Sequence, residues 1–160
     1  MGKGKVLSTI LGVAVGAAGG AAVAGNACAK NTEKWKKMSD KHLALFLLMN
    51  EWMRTKQEGK SIKDYLDKYE YKTVAVYGMS YVGERLLDEL QNCGIEVKYA
   101  IDQNADTIYT GIDVYSPEDD LPEVDVIIVT AVYFFDEIYD KLSDKVQCAI
   151  VSLEDVLYEI

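Results

Sequence analysis

From residue 72 onward, short β-branched apolar runs alternate with longer segments whose apolar residues recur at helical spacing. The strands that this alternation predicts are Thr73–Tyr77, Glu96–Ile101, Ile112–Tyr115, Val124–Val129 and Gln147–Val151. Helices are predicted from Tyr81 to Cys93-Gly94, from Ser116-Pro117-Glu118-Asp119, over Phe134–Leu142 and after Ser152. Strands that alternate with helices favour a parallel sheet, and right-handed crossovers give it the order 3-2-1-4-5.

Residues 31–70 follow a purely helical pattern, with apolar side chains at alternating three- and four-residue steps. The members of this stripe are Trp35, Met38, His42, Leu45, Met49 and Trp52, and Phe46, Leu47 and Met53 widen it. An amphipathic helix is therefore predicted to end near Gly59, and Ser61-Ile62-Lys63-Asp64 predicts the capped start of a short second helix. Two interpretations stay open, a helical arm packed on the following domain and a helix that mediates homo-oligomerisation or binds a partner.

The first 30 residues form an apolar, Gly/Ala-rich segment. Val6–Ala29 contains no charged residue, is bracketed by lysines and is long enough to span a bilayer. Gly12, Gly16 and Gly20 have the glycine-zipper spacing that permits close contact between membrane helices. As an uncleaved anchor, residues 6–29 would place the globular domain on the inner, cytoplasmic face of the cell membrane. A cleaved secretory signal, which would make the protein secreted, and a loosely ordered tail are the alternatives.

The division into an apolar segment (1–30), a helical arm (31–70) and an α/β domain (71–160) is also visible in the charges. The net charge is −9, yet residues 1–60 hold ten Lys/Arg against four Asp/Glu and residues 61–160 hold seven against twenty-two. An acidic globular half is a poor partner for nucleic acid, whereas the basic half suits anionic lipid. The three cysteines are far apart and form no CxxC pair, which indicates neither a zinc site nor a disulfide framework.

The candidate binding residues follow the first predicted strand, in the run Gly78-Met79-Ser80-Tyr81-Val82-Gly83. A Gly-x-Ser-x-x-Gly turn between a strand and a helix presents helix N–H groups and a partial positive charge to a phosphate, as in Rossmann-type folds. Gly78 permits the tight turn, and Gly83 lets the helix pack close to the strand. Ser80 replaces the second glycine of the dinucleotide pattern, where its Cβ crowds a pyrophosphate and its hydroxyl can donate to one.

Further candidate residues lie at the carboxyl ends of the neighbouring strands. Asp102 comes 24 positions after Gly78, near the offset of about 20 residues expected of an acid that accepts from ribose hydroxyls. Asn104 follows the second strand, and Thr130 and Tyr133 follow the fourth. The expected ligand is a small-molecule nucleotide, either a nucleotide-sugar or NAD(P). No metal is expected, because no cluster of His, Cys or carboxylates has converging spacing.

Residues for catalysis are not evident in the sequence. A short-chain dehydrogenase needs a Tyr with a Lys four residues later, and none of the eleven tyrosines has that partner. A serine nucleophile needs a histidine base, and His42 lies outside the α/β domain. The sequence therefore favours a binding module over an enzyme.

Four runs together resemble a known domain: Val76–Gly83, Ile101–Asn104, Ile112–Glu118 and Val126–Thr130. They are similar to the small Rossmann-like domain at the N-terminus of bacterial sugar O- and N-acyltransferases. The same domain is appended to glycosyltransferases and methyltransferases of surface-polysaccharide pathways. The resemblance covers about residues 70–158.

This resemblance implies a nucleotide-sugar pocket at Gly78, Ser80 and Asp102, in a module accessory to surface-polysaccharide or envelope biosynthesis and its partners. The sequence contains no acyltransferase repeat or methyltransferase region. Two alternatives remain open, an assembly protein whose Rossmann-like domain is a ligand-free platform and a small NAD(P)-dependent enzyme completed by a partner chain.

Overall fold

The computed structural model describes the backbone of residues 3–160 and the side chains of residues 30–160. Its helices are α1 (Lys3–Gln57), α2 (Ile62–Lys68), α3 (Tyr81–Asn92), α4 (Phe135–Leu142) and α5 (Leu153–Glu159). Its strands are β1 (Thr73–Tyr77), β2 (Glu96–Ile101), β3 (Asp113–Tyr115), β4 (Val126–Val129) and β5 (Ala149–Ser152). The chain divides into two compact units, residues 1–43 and 44–160, and the second unit contains the whole sheet.

The five strands form one parallel sheet in the order β3-β2-β1-β4-β5, which confirms the predicted Rossmann-like α/β fold. Strand β1 lies at the centre and pairs with both β2 and β4. Tyr77 at its end is level with Ile101 of β2 and Val129 of β4. The carboxyl ends of three strands therefore meet at one edge of the sheet.

Hydrophobic cores cover both faces of the sheet, as expected of parallel strands made of continuous apolar runs. On one face the core is formed with helices α2, α3 and α5 and the C-terminal part of α1, through residues such as Leu48, Leu66, Leu90 and Val156. On the other face Ile138 and Leu142 of α4 pack on the strands. The helices that follow β1 and β4 thus lie on opposite faces of the sheet.

Part of the sequence prediction for α1 is wrong. Within the second unit, the residues of α1 that are packed inside are Leu48 and Trp52, together with the polar residues Glu51 and Thr55. Trp52 belongs to the predicted apolar stripe, but Leu48 and Thr55 do not. The domain packs on the face that carries Leu48, Glu51, Trp52 and Thr55, so the predicted stripe is shifted around the helix relative to the packed face.

The helix predicted to begin at Ser116 is absent, and a turn takes its place. The expected capping contact does form, because the Ser116 N–H donates to a carboxylate oxygen of Asp119 at 2.7 Å. Pro122 follows three residues after Asp119 and lacks the N–H that another helical turn would need. A capping motif without an apolar stripe behind it therefore ends as a turn.

Within the part of the chain whose side chains are described, no helix is both long and apolar enough to cross a membrane. The predicted membrane segment, residues 6–29 with its glycine zipper, lies outside those described side chains. Its role as an anchor stays a prediction.

Asp125 joins the start of β1 to the approach to β4. Its Oδ2 atom accepts from the backbone N–H of Thr73 at 2.8 Å and of Lys72 at 2.9 Å, and from the Thr73 hydroxyl at 2.9 Å. The hydrogen bond from the Thr73 N–H, followed by those from Lys72 and the Thr73 hydroxyl, lowers the pKa of Asp125 below its ordinary value of 3.8. A carboxyl group whose pKa is lower in the folded than in the unfolded state stabilises the protein at pH values above its unfolded pKa. This stabilisation is lost as the pH falls through the folded pKa.

We therefore expect Asp125→Asn to lower the melting temperature at neutral pH. The gap to the wild type should shrink on acidification from about pH 7 to about pH 3, since the stabilisation by the wild-type carboxylate begins to be lost once the pH falls below its unfolded pKa. Asp120→Asn, an equal change of charge at an exposed position of the preceding loop, serves as the control. A gap for Asp125→Asn that is the same at both pH values would contradict this account.

Candidate functional site

The loop between β1 and α3 begins with a sharp turn at Gly78. This residue has a φ of +95°, and its N–H donates to the carbonyl oxygen of Ile101 at 2.8 Å. A Cβ at position 78 would lie 2.9 Å from the Oγ1 atom of Thr130. Both the left-handed backbone and the close approach of β4 therefore require glycine here.

Gly83, in the first turn of α3, packs against the backbone of the same loop. A Cβ at position 83 would lie 2.0 Å from the carbonyl oxygen of Gly78 and 3.0 Å from its carbonyl carbon. These are backbone atoms, which cannot rotate out of the way. Gly83 is thus needed for α3 to approach the loop. The sequence predicts a glycine at this position for close packing of the helix on the strand, and the atoms that it approaches are those of Gly78, directly after that strand.

Thr130 holds this loop from the end of β4. Its side chain is buried, with Oγ1 at 2.6 Å from the carbonyl oxygen of Gly78 and 3.0 Å from that of Tyr77. Its backbone N–H also donates to the Tyr77 carbonyl at 2.9 Å. The hydroxyl hydrogen of Thr130 is therefore directed at the protein backbone, so this candidate ligand residue positions the loop.

Asp102 lies at the end of β2 and faces the same loop. One carboxylate oxygen accepts from the Met79 N–H at 2.8 Å, and the other accepts from the Asn104 N–H at 2.9 Å and from the Asn104 side-chain amide at 3.4 Å. A carboxylate has about four acceptor positions, so Asp102 keeps capacity for a ribose hydroxyl. The bond to Met79 fixes the loop between β1 and α3 relative to β2.

The electrostatics around Asp102 involve the neighbouring tyrosine of β1. Burial raises the pKa of the Tyr77 hydroxyl above its ordinary value, and the negative charge of Asp102 raises it further. Tyr77 therefore stays a neutral phenol at physiological pH.

Ser80 is the N-cap of α3. Its backbone is extended, with φ −88° and ψ −168°, and its exposed side chain makes no capping hydrogen bond. The N–H groups in the first turn of a helix have no partner within the helix, and they are suited to bind an anion. Glu84 opposes an anion by its charge, and Arg85, whose guanidinium lies 3.7 Å from the Glu84 carboxylate, offsets it.

Tyr133 supplies aromatic surface at the carboxyl edge of β4. It lies in the 3₁₀ turn Val132–Phe134, and its ring meets that of Phe134 edge-on with the centroids 5.1 Å apart. Both rings are more than a third exposed. An exposed ring at this edge can stack on a nucleobase or a sugar.

The predicted site residues fall into three groups according to their contacts and exposure. Gly78, Met79, Asp102, Asn104 and Thr130 are joined by the hydrogen bonds and close approach described above. Met79, Val82 and Gly83 are buried, so they can offer only backbone groups to a ligand. Ser80, Tyr81, Asn104 and Tyr133 have exposed side chains. Within residues 30–160, no three His, Cys, Asp or Glu side chains are grouped so that they could hold a metal ion.

Sequence reasoning missed a groove between α1 and α3. It has a volume of about 390 Å³ and is lined by Leu45, Met49, Tyr81, Val82, Glu84 and Arg85. A smaller groove of about 270 Å³ continues along the same two helices. The sequence contained one signal for this groove: the apolar stripe on α1 is wider than a single packed face needs.

Comparison with known proteins finds no family model, curated protein or solved structure that matches this chain significantly. The resemblance to the Rossmann-like domains of polysaccharide enzymes therefore stays a prediction from the sequence.

Proposed function

We propose that residues 71–160 bind a nucleotide-type ligand, a nucleotide-sugar or NAD(P), at the carboxyl edge of the sheet. The observation that carries this proposal is the position of the uncapped N-terminus of α3, directly after the Gly78 turn, at the strand that pairs with both β2 and β4. The connections from β1 and β4 leave towards opposite faces of the sheet. Ligands of open α/β sheets bind in the crevice that such a divergence creates.

In this proposal each part of the ligand has a matching group. The phosphate accepts hydrogen bonds from the N–H groups of Ser80 to Gly83, and Asp102 accepts from a ribose hydroxyl. Tyr133 provides a stacking surface for the base or the sugar. Because Asp102 is negatively charged, a ligand with free ribose hydroxyls is favoured over one with a 2′-phosphate.

We further propose that this module is tethered to a membrane by residues 6–29 and is accessory to surface-polysaccharide or envelope biosynthesis. Support for the tether comes from the uncharged segment and its flanking lysines. The role in biosynthesis rests on the resemblance of the four runs in residues 70–158.

Thermal unfolding of the full chain with UDP-sugars, NAD⁺ and NADP⁺ tests the binding proposal. A ligand at 100 times its dissociation constant adds about 2.7 kcal/mol to the free energy of unfolding. Two substitutions at one exposed position make the test specific, since Ser80→Asp and Ser80→Asn both supply good N-cap residues of nearly equal size. Only aspartate places a negative charge where the phosphate is proposed to lie.

We expect Ser80→Asn to keep the ligand-induced rise in melting temperature and Ser80→Asp to lose it. Without ligand, the two variants should be about equally stable. Equal stabilisation of both variants by the ligand would contradict a phosphate at the N-terminus of α3. No stabilisation of the wild type by any of the nucleotides would contradict the proposed function itself.

A further inference from the structure

Within the second unit, helix α1 has apolar side chains on two faces. One face packs on the domain, with Leu48 and Trp52 at 1% and 5% exposure. The adjacent face carries Phe46 and Met53, which are 67% and 63% exposed, and Met49, which is 40% exposed. These three residues lie at positions i, i+3 and i+7, so they form a continuous stripe along the helix. A helix that faces its own domain on one side does not need a second apolar stripe for folding.

The second stripe borders the 390 Å³ groove between α1 and α3. Leu45 and Val82 line the groove, and the ring of Tyr81, which is 88% exposed, stands at its side. We call the residues Leu45, Phe46, Met49, Met53 and Tyr81 the apolar patch. This patch combines projecting rings with a groove, and a surface with both features can pair with its own copy about a two-fold axis.

The charges beside the patch favour a second copy of the chain over a lipid or nucleic-acid surface. The exposed side chains of Glu84, Arg85 and Asp88 lie along α3, with Arg85 at 3.2 Å from Asp88 and 3.7 Å from Glu84. An anionic membrane or a nucleic acid selects a surface of basic residues. Here Glu84 and Asp88 flank Arg85, and Lys56, which lines the continuation of the groove, is paired with Glu89, so the surface is mixed in sign. In a symmetric dimer, positive and negative side chains on the same surface can pair with each other, because Arg85 of one copy can form an ion pair with an acidic residue of the other.

The area of the patch fits a weak dimer. Aromatic side chains bury roughly 150–250 Å² each, so a patch with two exposed rings and two exposed methionines offers on the order of 500 Å². Pairing two patches would bury on the order of 1,000 Å², which is near the lower limit for a specific interface. The expected dimer is therefore concentration-dependent.

We infer that the apolar patch is the interface of a homodimer, in which Phe46 of each copy inserts into the groove of the other. This inference does not depend on nucleotide binding, because the patch uses the exposed side chain of Tyr81, whereas the proposed phosphate contact uses only backbone N–H groups of the same turn. It also does not depend on residues 6–29, which are proposed to act separately in the membrane.

Photo-crosslinking of the full chain tests the interface directly. p-Benzoylphenylalanine replaces Phe46 in a purified one-to-one mixture of isotopically light and heavy chains, so that crosslinks between copies are recognised by mass. We expect light–heavy crosslinks from position 46 to the peptide that contains Tyr81–Arg85. The matched control places the same probe at Leu47, the next residue, which is 48% exposed but lies on the other flank of the helix. That control should give few such crosslinks.

Sedimentation equilibrium of the full chain supplies the second measurement, with Phe46→Ser and Leu47→Ser as a pair. We expect Phe46→Ser to weaken dimerisation at least about tenfold and Leu47→Ser to leave it near the wild-type value, with unchanged helix content in both. Crosslinks from position 46 that occur only within one chain, or equal effects of the two serine variants, would overturn the inference. Association through residues 6–29 alone would give that second result.

Discussion

Gly83→Ala is expected to destabilise the protein by about 3 kcal/mol, although alanine is the better helix former by about 1 kcal/mol. The reason is steric, since the new Cβ would lie 2.0 Å from the carbonyl oxygen of Gly78. To relieve this contact, either α3 must move away from the loop or the turn at Gly78 must open. Either movement disturbs the hydrogen bonds that join this loop to Asp102 and Thr130.

Urea denaturation of the full chain measures this effect, and Gly111→Ala is the matched control. A Cβ at position 111 would meet no atom within 4 Å, so this variant should remain within about 0.5 kcal/mol of the wild type. If Gly83→Ala is as stable as Gly111→Ala, the close packing of α3 on the loop is not present in solution.

Glu89→Ala is expected to destabilise the protein by a similar amount, about 3 kcal/mol. The Glu89 side chain is only 8% exposed, and three groups donate to it: the Trp52 indole N–H at 2.8 Å, the Ile62 N–H at 3.1 Å and the Lys56 ammonium at 2.5 Å. It therefore joins α1 and the start of α2 to α3. Removal of the carboxylate leaves two partly buried N–H groups without their acceptor.

The control for Glu89 is Asp88→Ala, which removes a carboxylate from the exposed side of the same helix. Asp88 pairs with Arg85 at 3.2 Å with both side chains more than half exposed, so its loss should change the stability by less than about 1 kcal/mol. Trp52 fluorescence reports the local effect, and we expect a red shift in Glu89→Ala alone. Equal stability of the two variants would show that Glu89 does not hold the helices together.

The centre of the fold is predictable from the sequence because local and long-range signals agree there. Strands β1 and β2 begin and end where the sequence predicts, since a run rich in apolar residues is followed by Gly78 in the first case and by Asp102 in the second. The observed strand order is the one predicted for a Rossmann-like sheet with right-handed crossovers. Predictions failed where a local signal lacked support from packing, as at Ser116, whose capping contact forms without a helix behind it.

The candidate site was predictable in its residue types but not in its contacts. The roles of Gly78 and Gly83 follow from the strand-turn-helix pattern, because few other residues fit such a turn. The hydrogen bond from the Met79 N–H to Asp102 joins two loops that are 23 residues apart in the sequence. It depends on the distance between these loops, which the sequence does not give. The role of Glu89 was not predicted. A charged residue near the apolar face of a helix is recognised as buried only when the groups that donate hydrogen bonds to it are known.

The central claim is that a nucleotide binds at the N-terminus of α3, and backbone amide chemical shifts test it most directly. The full chain, labelled with ¹⁵N, is titrated with the nucleotide that gives the largest thermal stabilisation. We predict the largest shift changes at the amides of residues 79–83 and at Asp102, with saturation at the same ligand concentration. Changes confined to residues outside 79–83 and Asp102, such as Met49, Met53 and Lys56 of α1, would contradict the claim, as would the absence of any saturable change.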